Sequence, residues 1–225
     1  MAFPTSGTDD RSFRPSKCNQ KEYRHVWLIL FWSVYVTRYI LIENLNPAAK
    51  YIPIHCALDD RIPFCEAFVI PYVLWYVFIT GMHLYTLLYD IQSFKRYSKF
   101  LVVSFSISTL IFLIFPTCQQ LRPAEFPRDN LLTRIVGLIY ALDTSTNVFP
   151  SEHAIGSIAV AAAAAHTESL RSPGKRTAIT AAAVLICLST VFLKQHSVLD
   201  TLAALPVCAV AYWITYGKKR EKQEA

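Results

Sequence analysis

Two histidines in this chain of 225 residues stand in polar stretches that border apolar segments. His196 precedes Asp200 by four positions, so the two side chains lie on one face, one turn apart, if a helix begins there. An aspartate beside an imidazole fixes its tautomer and leaves the other ring nitrogen basic, as in an activated nucleophile. A helix cap next to an interfacial histidine is the structural alternative for this pair.

The second histidine lies in the stretch "FPSEH". Pro150 suits the first turn of a helix and Ser151 suits its cap, so we expect a helix N-terminus here. The unbonded N–H groups and the dipole of a helix N-terminus bind anions. His153 would hang beside that site, where it can give a proton to a leaving oxygen.

Arg122 completes the set, because its guanidinium can hold two oxygens of a phosphate at once. A nucleophilic imidazole, an acidic imidazole, an arginine fork and a helix N-terminus predict a phosphoryl-transfer site. The six cysteines form no zinc pattern and no carboxylate cluster is present, so we expect neither a metal nor another cofactor.

Apolar segments must position these residues. The chain is 53% hydrophobic, with a mean hydropathy of +0.32, and its apolar residues are concentrated in segments close to the length that spans a bilayer. Only helices satisfy their backbone groups there within one segment, so we predict an all-α integral membrane bundle of six transmembrane helices. The predicted spans are 26–42, 68–89, 100–115, 153–167, 177–193 and 198–216. A soluble domain and a nucleic-acid-binding protein are both disfavoured.

The basic residues set the expected orientation, since lysine and arginine mark cytosolic flanks. They cluster before the first span, after the second and fourth spans, and in the tail: Arg11, Arg14, Lys17, Lys21, Arg24, Lys95, Arg96, Lys99, Arg171, Lys175, Arg176 and the stretch "GKKREK". We therefore predict cytosolic termini and an extracytosolic active site. The expected organisation is a polar arm over 1–25, a catalytic membrane domain over 26–216 and a basic tail over 217–225.

Three further features carry expectations. Residues 130–143 put Leu131, Ile135, Leu138 and Leu142 on one helical face, which predicts an interfacial helix or a helix that caps the bundle. Arg38 is expected to snorkel outward or to pair with Glu43, and is given no catalytic role. Cys56 and Cys65 share one loop, and either a disulfide or two free thiols would fit.

"RP" at 122–123, "PSEH" at 150–153 and the spacing Ser189-x6-His196-x3-Asp200 resemble the type 2 phosphatidic acid phosphatase superfamily. Its signature is K-x6-R-P, P-S-x-H and S-R-x5-H-x3-D on a six-helix membrane core. The resemblance extends from about residue 100 to 216. It implies that His196 attacks phosphorus to form a phosphohistidine, that Asp200 orients it, and that His153 protonates the leaving group.

The resemblance also implies that Arg122, Ser151 and Ser189 hold the phosphate oxygens. Two cations of the signature are missing, since Phe115 and Thr190 stand in their places. We hypothesise that Lys194 replaces one of them, although a lysine snorkelling at an interface would fit equally. Glu152 should repel a phosphate and is expected to face solvent, unless it contacts a cationic or hydroxylated head group.

The same chemistry supports a lipid phosphate phosphatase or, if an alcohol resolves the phosphohistidine, a head-group phosphotransferase similar to sphingomyelin and inositol phosphorylceramide synthases. We favour the phosphatase because the "RP" element remains. An inactive transporter or scaffold is the alternative that is not an enzyme. The expected partners are a phospholipid or isoprenoid phosphate and membrane lipids; homo-oligomer formation stays open.

Overall fold

The computed structural model describes residues 24–45 and 50–217, without the side chains of 43–45. The predicted arm over 1–25 and the basic tail lie almost wholly outside these residues. The described helices are α1 (Leu30–Leu45), α2 (Ala57–Arg61), α3 (Val69–Tyr89), α4 (Ile91–Ile114), α5 (Leu131–Leu142), α6 (Glu152–His166), α7 (Pro173–Phe192) and α8 (Val198–Tyr216). Short 3₁₀ turns precede α1 and α3 and follow α6.

The protein is an all-α integral membrane bundle. Within the described residues, five helical segments are long and apolar enough to cross a membrane: Arg24–Ile42, Glu66–Tyr89, Ile91–Ile114, Pro173–Phe192 and Val198–Tyr216. The predicted fourth span corresponds to α6, which has 15 residues. At 1.5 Å per residue it extends about 22 Å, less than the roughly 30 Å of a hydrocarbon core. The count of six spans therefore stays a prediction.

Helix α6 lies in the middle of the bundle, where it contacts α3, α4, α7 and α8. Its small side chains permit this position: Ala154, Ala159 and Ala163 are fully buried. Gly156 marks the closest approach, because a Cβ there would lie 2.8 Å from both Ile79 Cδ1 and Trp75 Nε1. The alanine-rich segment thus packs helices tightly around the first turn of α6, which carries His153.

Helix α4 begins earlier than predicted. The expected start at residue 100 was placed after the basic residues of the preceding connection, but the helix runs through them from Ile91. Asp90 caps it, since its carboxylate accepts hydrogen bonds from the backbone N–H and the hydroxyl of Ser93 at 2.9 and 2.7 Å. A cap therefore sets this boundary, with the basic side chains on the first turns.

Helix α5 matches the amphipathic segment predicted at 130–143. One face packs on the bundle, where Val136 joins Val69, Tyr72 and Leu193 in a small apolar cluster. The predicted apolar face is largely exposed, with Leu131, Leu138 and Leu142 at 72%, 64% and 84%. The helix thus both caps the bundle and presents an apolar stripe outward.

A two-residue parallel ladder ties the loops at this end of the bundle together. Strand β1 (Ile52–Pro53) pairs with β2 (Thr117–Cys118), and Cys118 bridges Thr146. The Thr117 hydroxyl accepts hydrogen bonds from the backbone N–H groups of Val148 and Phe149 at 3.2 and 3.1 Å. These bonds fix the segment that leads into α6.

Candidate active site

The structure brings His153 and His196 together. Their ring centroids are 5.9 Å apart and their planes are inclined by 60°. His153 comes from the first turn of α6, whereas His196 stands in the short link before α8. Both line one pocket, so a single phosphorus atom can lie between them.

Asp200 contacts His196 as the spacing predicts. The Nδ1 atom of His196 lies 3.3 Å from Asp200 Oδ2, which also accepts a hydrogen bond from the backbone N–H of Ser197 at 2.8 Å. The Asp200 side chain is fully buried, and that of His196 is 12% exposed. Contact through Nδ1 leaves Nε2 of His196 as the ring nitrogen available for chemistry.

His153 is held between aromatic rings. Its ring stacks on Tyr72 at 4.4 Å and lies 4.4 Å from the Trp75 indole on the same helix, α3. Its Nε2 atom is buried and has no hydrogen-bond partner among the described residues. The imidazole is therefore fixed by aromatic packing and not by a hydrogen bond at Nε2.

Ser151 caps α6 as predicted. Its hydroxyl accepts from the backbone N–H of Ala154 at 3.4 Å, and its own N–H donates to the carbonyl of Asp200 at 2.9 Å. The side chain is fully buried. N–H groups in the first turn of a helix have no acceptor within the helix, so those of Glu152 and His153 are candidates for binding an anion.

All three side-chain nitrogens of Arg122 donate hydrogen bonds to other protein groups. Nε and Nη2 donate to Gln195 Oε1 at 3.1 and 2.6 Å, and the Nη atoms also donate to the carbonyls of Tyr140, Asp143 and Thr144. Its guanidinium lies over the Tyr140 ring. Arg122 therefore joins the link that carries His196 to the loop after α5, and it is not among the residues that line the pocket.

Ser189 and Lys194, the other two predicted phosphate contacts, also lie outside the pocket lining. The buried hydroxyl of Ser189 donates to the carbonyl of Ile186 in its own helix. Lys194 adopts a left-handed φ of 56°, and its ammonium group donates to the carbonyls of Asp59 and Ile62. Two of the three ammonium donors are thus taken by the α2 region, which favours a structural role. The hypothesis that Lys194 substitutes for a missing phosphate cation stays a prediction.

Asp59, which sequence reasoning missed, fixes the start of α8. Its carboxylate accepts from the Ser197 hydroxyl at 2.6 Å and from the backbone N–H groups of Val198 and Cys56, each at 2.8 Å. Burial alone would raise the pKa of Asp59, but these hydrogen bonds stabilise the carboxylate and leave its pKa below the ordinary value. Asp59 and Lys194 together fasten the link that carries His196 to α2.

No local pattern marked Asp59 within "CALDDR". The two cysteines of this loop, Cys56 and Cys65, are free thiols in the structure, which corresponds to the second of the two alternatives left open.

Glu152 does not face solvent as expected. Its carboxylate forms a two-pronged ion pair with Arg38, with Nη1–Oε1 and Nη2–Oε2 distances of 2.9 and 2.8 Å. Tyr35 donates a further hydrogen bond to Oε2 at 3.0 Å. The two charged side chains are 12% and 15% exposed. Arg38 thus turns into the bundle rather than outward, because a buried carboxylate beside the helix N-terminus attracts it.

The pocket beside the two imidazoles has both polar and apolar walls. Its lining residues come from α1, α4, the segment before α6, the first turn of α6 and the link before α8: Tyr35, Arg38, Tyr39, Ile42, Phe112, Asp143, Thr144, Thr146, Asn147, Val148, Glu152, His153, Gln195 and His196. Among the described residues, no group of three or more histidine, cysteine, aspartate or glutamate side chains is arranged to hold a metal ion.

The protein is a helical membrane bundle in which two imidazoles lie close together, and one of them contacts a buried aspartate. These features define a candidate phosphoryl-transfer protein of the membrane. The family model of the PAP2 superfamily matches residues 26–224, and the chain belongs to this superfamily. Its members are phosphatases or related phosphotransferases, so the chain is a membrane enzyme of phosphoryl-transfer type. No curated protein and no solved structure matched the chain.

Proposed function

We propose that the protein is a membrane-embedded lipid phosphate phosphatase that works without a metal through a phosphohistidine on His196. The observation that carries this proposal is the 5.9 Å separation of the His153 and His196 rings, with Asp200 on the Nδ1 side of His196. In this proposal His196 is the nucleophile and His153 is the proton donor, one on each side of the phosphorus atom.

In the first step, Nε2 of His196 attacks phosphorus, and the bond from phosphorus to the lipid oxygen breaks. Protonated His153 gives its proton to that oxygen, so the lipid leaves as an alcohol. Asp200 stabilises the positive charge on the His196 ring. In the second step, His153 takes a proton from water, the water oxygen attacks phosphorus, and the phosphorus–nitrogen bond breaks.

The N-terminus of α6 is the proposed support for the phosphate oxygens, through Ser151 and the first-turn N–H groups. The resemblance assigns Arg122 and Ser189 to the same task. Their hydrogen bonds to other parts of the protein favour a positioning role instead, which a variant of Arg122 tests below.

A lipid head-group phosphotransferase is the second candidate. One observation favours it: the pocket lining includes Tyr39, Asp143, Thr146 and Asn147, whose side chains are able to bind hydroxyl groups of an alcohol acceptor. In that reaction, His153 would deprotonate the acceptor alcohol in place of water.

Purified protein supplied with a labelled lipid phosphate, with and without alcohol acceptors, separates the candidates. A phosphatase releases labelled inorganic phosphate in both conditions, whereas a transferase moves the label to the acceptor. Both activities should disappear in His196→Ala and persist after chelation of divalent ions. A protein with neither activity, or an active His196→Ala variant, would overturn both candidates and leave the transporter or scaffold.

We also propose six spans, with α6 as the short fourth, α5 in the interface, cytosolic termini and an extracytosolic pocket. The exposed apolar stripe of α5 and the charge distribution support this arrangement. In a background without native cysteines, Arg128→Cys should react in intact cells with a membrane-impermeant maleimide, and Lys175→Cys should react only after permeabilisation. The opposite pattern would reverse the orientation.

A further inference from the structure

The pocket holds a cation that the family signature does not supply. Arg38 is the one lysine or arginine among the described residues that line it. The cations expected there from the sequence, Arg122 and Lys194, are not among the residues that line the pocket. A site for a phosphate dianion needs positive charge, and α1 provides it.

The guanidinium of Arg38 is already arranged for a two-oxygen anion. Both terminal nitrogens contact the Glu152 carboxylate in parallel, and Nη1 also donates to the Thr109 hydroxyl at 3.0 Å. Its carbon lies 4.7 Å from the centre of the Tyr35 ring, which holds the planar group in place. A phosphate presents two oxygens in the same way as a carboxylate, so this geometry fits either group.

Arg38 contacts the helix at whose end the signature lysine is missing. Its contacts on α4, Thr109 and Phe112, lie on the last turns of that helix. Phe115, which stands in the place of the lysine, follows Phe112 by three positions and ends the same helix. Arg38 thus brings a cation from α1 to the helix end that would otherwise carry one.

We propose that Arg38 binds the substrate phosphate and that Glu152 is its counterion when the pocket is empty. The phosphate replaces the carboxylate on the guanidinium, in the pocket that His153 also lines. This inference rests on the proposed function. It has a defined sign: Glu152 competes with and repels the anion, so its removal strengthens phosphate binding. A Glu152 that contacts a cationic head group would give no such gain.

The test uses the purified full-length chain and inorganic phosphate, whose binding is measured by calorimetry and needs no turnover. Arg38→Gln should weaken phosphate binding roughly 10- to 100-fold, the range for a lost hydrogen bond to a charged group. Glu152→Gln should strengthen binding several-fold. The KM for the lipid phosphate should rise in Arg38→Gln and fall in Glu152→Gln.

Arg38→Gln alone leaves a buried carboxylate without its partner and can impair folding. The double variant Arg38→Gln/Glu152→Gln removes both charges and avoids that problem. It should fold and bind phosphate more weakly than the wild type, but more tightly than Arg38→Gln, because the repelling carboxylate is also gone. The exposed pair Arg134 and Asp129 gives the matched control, and Arg134→Gln/Asp129→Asn should bind phosphate normally.

Wild-type phosphate affinity in the double variant would overturn the proposal, because the pair would then be structural only. So would weaker binding in Glu152→Gln. A different outcome is a wild type that binds phosphate through Arg38 but does not turn over the lipid phosphate. That result would refute the proposed function and leave this inference standing.

Discussion

The backbone N–H of Ser151 donates a hydrogen bond to the carbonyl of Asp200 at 2.9 Å. This bond joins the start of α6, which carries His153, to the start of α8, whose Asp200 contacts His196. The two segments that carry the imidazoles are therefore joined directly to each other, as one structural unit. Substitutions of the residues that support this unit test their contributions one at a time.

Asp200→Asn should leave the protein folded but slow. Asparagine keeps the shape of the side chain but lacks the negative charge that orients and stabilises the His196 ring. Loss of the equivalent aspartate in a serine protease triad costs about 10⁴-fold in kcat, and we expect a loss of about 10³-fold or more here. Turnover and thermal unfolding should be measured together, with the exposed Asp129→Asn as control. A nearly active variant would show that the pair is only a cap.

Asp59→Asn should destabilise the protein in a pH-dependent way. The pKa of Asp59 is lowered by folding, so its contribution to stability is complete above the unfolded pKa of about 3.9 and is lost as pH falls through the folded pKa. We expect a loss of about 1–3 kcal/mol near neutral pH, because the amide leaves buried N–H donors unsatisfied.

Thermal unfolding of this variant and the wild type between pH 3 and 7 measures the effect. The two curves should converge at the acidic end. The neighbouring Asp60→Asn, which removes an exposed contact with His55, is the control and should change little. A gap that is independent of pH would contradict the role given to the Asp59 carboxylate.

Gly156→Ala should disturb the active site through Trp75, which packs between Gly156 and the His153 ring. The new Cβ would lie 2.8 Å from Trp75 Nε1, and Trp75 contacts the His153 ring. Overpacking of this kind costs about 1–3 kcal/mol. We expect a lower melting temperature, a lower kcat and a shifted tryptophan fluorescence. Gly81→Ala, which meets no atom within 4 Å, is the matched control and should be neutral or stabilising. Equal behaviour of the two variants would contradict the close approach.

Arg122→Lys distinguishes positioning from phosphate binding. A single ammonium group cannot reproduce the contacts of the guanidinium with Gln195 and three carbonyls. A positioning role predicts a lower melting temperature and a lower kcat, together with coupling to Gln195→Ala in a double-mutant cycle. A higher KM with unchanged stability would restore Arg122 to the phosphate.

The sequence was sufficient for the features that depend on local pattern. Apolar segment length predicted the long helices, and Ser151 predicted the start of α6. The four-residue spacing predicted the contact between His196 and Asp200. Each of these features is set by residues within a few turns of one another.

The remaining site features depend on contacts between distant segments. Arg38 and Glu152 are 114 positions apart, and Asp59 reaches Ser197 across 138 positions. Lys194 was hypothesised to be a phosphate ligand because the sequence shows that it lies two residues before His196. The left-handed backbone of Lys194 and its partners in the α2 region could not be inferred from the sequence. Charge alone therefore indicated which residues were unusual, but not which of them face the pocket.

The most direct test of the central claim is to trap the phosphoenzyme. Protein incubated with a lipid substrate carrying ³²P and quenched rapidly in alkali should retain label that is stable to base and released by acid, as expected for a phosphorus–nitrogen bond. The label should map to His196 and vanish in His196→Ala. Label on another residue, or full turnover by His196→Ala, would contradict the proposed mechanism.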